Sequence, residues 1–80
     1  MTTKNNLQKM KQWYYEAVMT SLIQGGKSKE EAEEILKVYR LRELLDRFPY
    51  VQMHYSIEDA TEEALEIFDK FGPKDLALVN

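Results

Sequence analysis

The stretch Ser28 to Phe48 carries a helical pattern whose apolar side changes partway along. At 100° per residue, Ala32, Ile35, Leu36 and Tyr39 share one side of a helix. Leu41, Leu44, Leu45 and Phe48 fall on roughly the opposite side, and the charges exchange places with them. Glu30, Glu31, Glu33, Glu34 and Lys37 oppose the first stripe, and Arg40, Arg42, Glu43, Asp46 and Arg47 oppose the second. An ordinary surface helix buries one stripe against one neighbour, so this pattern demands a second cover. The row Ala32, Ile35, Val38, Leu41, Leu44 recurs every three residues. Such a row winds backwards by about 60° per step, which would let one continuous helix cross two neighbours. Neither Gly nor Pro lies near Tyr39–Arg42 to break it, so continuity is the expectation.

The surrounding sequence supplies the other helices. Leu7, Met10, Tyr14, Ala17, Val18 and Leu22 form the stripe of a helix expected at about 6–24, which Gly25-Gly26 ends. Tyr15, Met19 and Ile23 form a second row beside it, and Trp13 lies off its other edge. Ser28 and Glu31 fit the capping box of the next helix, expected over about 28–48. The short link predicts an antiparallel hairpin. Pro49 ends that helix, because the residue before Pro is pushed out of the α region. Val51, Met53 and Tyr55 alternate with Gln52 and His54, which predicts a short extended segment at 50–55. A helix over about 57–71 follows, opened by Ser56 and stopped by Gly72-Pro73; its Ile57, Ala60, Ala64, Ile67, Phe68 and Phe71 share one face. The tail, 72–80, holds Leu76, Leu78 and Val79 and could pair with 50–55.

Eighty residues suit one small domain, all-α with three helices. A chain this short buries only about 60% of its unfolded surface. It has no cysteine for disulfide or thiolate–metal staples, so association with a second chain is an expected source of stability. The N-terminal residues lack the apolar run of a signal peptide, and no run is long enough to span a bilayer. A cytoplasmic protein is expected.

Chemistry has little foothold. The single histidine, His54, has no second His or Cys to work with, and no Glu-x-x-His pair exists to build a carboxylate metal site. No catalytic residue, metal or cofactor is expected. Gly25-Gly26-Lys27-Ser28 lacks the earlier glycine and the preceding strand of a phosphate loop. Nucleic-acid binding through a basic patch around Lys37–Arg47 is the alternative function, but glutamates crowd the start of the helix that would enter a groove. The net charge of −3 also disfavours it.

More apolar face remains than three helices readily cover, which predicts a non-catalytic protein-interaction or regulatory role. Val38, Leu41, Leu44, Leu45 and Phe48 are the expected self-association surface of a helical homodimer, in part because Val38, Leu41, Leu45 and Phe48 keep a coiled-coil-like spacing. Trp13, Tyr50, Met53 and Tyr55 are the expected contacts for an outside protein partner.

Overall fold

The computed structural model describes residues 2–72, with side chains from residue 6 onward. Over that range the chain forms five helices and no strand: α1 (Thr2–Gln24), α2 (Lys29–Tyr39), α3 (Leu41–Arg47), α4 (Pro49–His54) and α5 (Ile57–Phe71). The all-helical class is as expected, and the number of helices is corrected from three to five.

The change of apolar side is resolved by a break, not by a winding row in a continuous helix. Arg40 sits in the left-handed region, with φ 65° and ψ 41°. Its N–H still closes α2 on the carbonyls of Leu36 and Lys37, and its own carbonyl accepts from Leu44 to open α3. One left-handed residue re-aims the chain, so that Leu41 and Leu45 turn into the same core as Ala32, Ile35 and Leu36. The energies favour this. A non-glycine residue in that region costs about 1–2 kcal/mol. Burying two leucines contributes about 1.5–3 kcal/mol each.

The core is one cluster. Tyr14, Val18 and Leu22 of α1 meet the α2 and α3 residues just named, and Ala60 and Ala64 of α5 complete it. Helix α5 lies against both α1 and α2, and it brings the small side chains of Ala60 and Ala64 into the buried core. The overall shape is elongated, 52 × 24 × 19 Å.

The expected extended segment at 50–55 is also corrected, since these residues are helical in α4. Pro49 occupies the start of that helix, where its missing N–H has no partner to lose. Gln52 is 4% exposed, although strand alternation put it on the wet side. Its amide Nε2–H donates to the Tyr39 hydroxyl at 3.2 Å. The Tyr14 hydroxyl donates to the Tyr55 carbonyl at 2.9 Å. These two bonds tie α4 and its C-terminal end to α2 and α1. Burial pushes the phenols of Tyr14 and Tyr39 above their ordinary value, with the Gln52 amide opposing the rise in both. The proposed pairing of the tail with 50–55 involves residues 73–80, outside the described range.

The capping box at Ser28 forms as expected. The Ser28 hydroxyl accepts from the Glu31 N–H at 3.0 Å, and the Glu31 carboxylate accepts from the Ser28 N–H at 2.9 Å. That backbone hydrogen bond is the main cause holding the Glu31 carboxyl below its ordinary 4.5. A carboxyl lowered on folding stabilises above its unfolded value and loses that contribution as pH falls through the folded one. Acid titration of stability below pH 4.5 should therefore be shallower in Glu31→Gln than in the parent chain. Parallel acid limbs in the two proteins would show that the cap carries no linkage.

Candidate interaction surface

The structure divides the residues expected at the self-association surface. Leu41 and Leu45, expected to meet a second chain, are 0% and 3% exposed and lie in the core of the chain itself. The reason is the break at Arg40, which supplies from within the chain the cover that a continuous helix would have lacked. Val38 and Leu44 are half-buried, and Phe48 is exposed.

The residues expected to meet an outside partner are divided too. Met53 is half-buried and packs against the core. Tyr50 and Tyr55 are exposed on and beside α4. Trp13 is exposed on α1 and borders a separate shallow depression with Ala17, Ser21 and Ile57. It does not share a site with the α4 tyrosines.

A groove of about 570 Å³ runs between α3–α4 and α5. Leu44 and Phe48 of α3 and its cap, Val51 of α4 and Tyr55 at its end form the apolar side. Phe48, Val51 and Tyr55 are each more than half exposed. Asp59, Glu62, Glu63 and Glu66 of α5 form the other wall. Among the described residues none of these four carboxylates is in an ion pair. The sequence signal for Val51 was its apolar character, but its place beside Phe48 depends on α4 being a helix. The acidic wall was legible only as the solvated face of one helix.

A second groove, of about 870 Å³, carries the basic residues. Lys37, Arg40 and Arg42 line it together with Glu16, Glu33 and Glu43. Arg40 pairs with Glu43 at 3.2 Å, and the Arg42 guanidinium lies 4.2 Å from the centre of the Tyr15 ring. Beside it, Lys11 reaches Asp46 at 3.3 Å and links α1 to α3. The basic patch is thus interleaved with acids, and Arg40 and Arg42 are engaged within the chain.

His54 is exposed on α4. Among the described residues no group of three or more His, Cys, Asp or Glu side chains could hold a metal ion, and no helix is long and apolar enough to cross a membrane. No family model, no curated protein and no solved structure matches this chain.

Proposed function

We propose that the chain is a non-catalytic interaction protein that binds another protein through the apolar side of the α3–α4–α5 groove. The observation that carries this is the adjacency of Phe48, Val51 and Tyr55, large side chains left more than half exposed beside a concave surface. Contiguous exposed apolar surface of this kind marks binding sites on small proteins. In this reading α1 and α2 run antiparallel across the short Gly25–Ser28 link, and the cysteine-free chain acts in the reducing cytoplasm.

Self-association has less support at this surface than a different partner has. A two-fold contact sets a patch against itself. Here it would bring the acidic wall of α5 toward its own copy, and like charges at an interface disfavour docking. Nucleic-acid binding through Lys37–Arg47 is weakened by the acids that share that groove.

Placing a photo-crosslinking amino acid at Val51 tests the reading in cells. The expected result is a discrete protein adduct from position 51 and none from Glu30, an exposed residue on α2. The double variant Phe48→Ser, Val51→Ser should keep its stability within about 0.5 kcal/mol, because surface side chains of this kind contribute little to folding. Absence of any adduct at 51, or a loss of stability several times larger, contradicts a surface reserved for binding.

A further inference from the structure

We propose that the partner presents a cationic amphipathic helix to this groove. Its apolar residues seat on Phe48, Val51 and Tyr55, and its Lys or Arg side chains face α5. The inference rests on the interaction reading above and adds the chemistry of the occupant.

Four observations support it. The groove has one apolar side and one acidic side, so the complementary ligand is apolar along one edge and basic along the other. The four carboxylates have no ion-pair partner among the described residues, so no described side chain competes with a cation from outside. Their spacing also selects a helix. Asp59, Glu62, Glu63 and Glu66 stand at i, i+3, i+4 and i+7 on α5, which makes one stripe with a step of one helical turn. That step is about 5.4 Å. An extended peptide repeats its side chains on one face at about 6.6–6.8 Å and drifts out of register with such a stripe. A second helix lying along α5 keeps pace with it. The groove is bounded by helices, so no open strand edge is offered for a peptide to add to.

The test uses the full-length chain and three labelled synthetic helical peptides with the same leucine face. Their polar faces are all Lys, all Gln or all Glu, and binding is read by fluorescence anisotropy. The Lys peptide should bind tightest, the Gln peptide more weakly and the Glu peptide not at all. Glu62→Gln, Glu63→Gln, Glu66→Gln should weaken the Lys peptide about tenfold at low salt, and the difference should shrink in about 0.5 M salt. Glu30→Gln, Glu33→Gln, Glu34→Gln removes as much charge from α2 and should leave binding unchanged. The variant Val51→Ser should weaken both the Lys and the Gln peptides.

Equal binding of the Lys and Gln peptides would overturn the cationic inference and leave the interaction reading standing. Equal losses from the α5 and α2 charge variants would reduce the effect to bulk electrostatics and overturn it as well. If none of the peptides binds, both the inference and the reading fall. A stable dimer that dissociates on Phe48→Ser, Val51→Ser would give the groove to a second copy. A cross-link from position 51 to residues 73–80 of the same chain would give it to the chain's own tail. Either result overturns the inference.

Discussion

Leu41→Ala is expected to lower the unfolding free energy by about 2–5 kcal/mol, the range for a large-to-small change at a closed core site. Leu41 is 0% exposed, and it is the first residue after the break at Arg40. A chain of this length holds about 4–12 kcal/mol in total, so the loss is a large share of its stability. Urea denaturation measures it directly. Phe48, on the same sequence stripe but 54% exposed, should lose far less on Phe48→Ala. The contrast separates two residues to which the sequence pattern assigns a single role. If instead Leu41→Ala kept its stability and changed the mass of the particle in sedimentation, Leu41 would belong to an interface between copies.

Ala64→Leu is the second large loss of stability, and it comes from the opposite change of size. Ala64 is 0% exposed on α5, on the core cluster it shares with Ala32 and Ala60. A leucine there adds three carbons where the structure has no room for them. Overpacking of this kind typically costs about 1–3 kcal/mol. A cost of that size lowers the midpoint of thermal unfolding of a small domain by about 5–20 °C. The neighbouring Leu65 is 37% exposed, and Leu65→Ala should shift the midpoint much less. An unchanged midpoint for Ala64→Leu would mean that α5 stands further from its neighbours than the structure places it.

Much of the fold was legible because the responsible signals are local. The Ser28–Glu31 box and the Ser56 cap open α2 and α5 where the sequence places them, with Ser56 accepting from the Asp59 N–H at 3.0 Å. Gly26, at φ 110°, lies in the turn after α1 as the Gly-Gly pair predicts. What was not legible depends on long-range packing. Arg40 is neither Gly nor Asn, so nothing at the residue itself announces a left-handed conformation. The only trace of the break is the change of apolar side, which is its consequence. Pro49 signals a stop for the preceding helix, and proline equally starts the next one, as it does in α4. Six residues of alternating character do not distinguish a strand from a short helix, and burial of Gln52 against Tyr39 decides the matter. The groove was hidden for the same reason. Its apolar and acidic sides lie on different helices, and each looked ordinary alone.

Stability of Arg40→Gly tests the central claim, that one left-handed residue turns both stripes into one core. Glycine reaches that conformation without the steric cost that arginine meets there. The Arg40–Glu43 pair that the change removes is exposed, with 73% and 62% side-chain exposure, so its loss matters little. The account predicts that Arg40→Gly unfolds at a higher urea concentration than the parent, with a gain of about 0.5–1 kcal/mol. In a helix continuous from Ser28 to Phe48, glycine at position 40 would cost about 0.5–1 kcal/mol instead. A fall in stability of that size would contradict the break and, with it, the burial of Leu41 and Leu45 in the same core as Ile35.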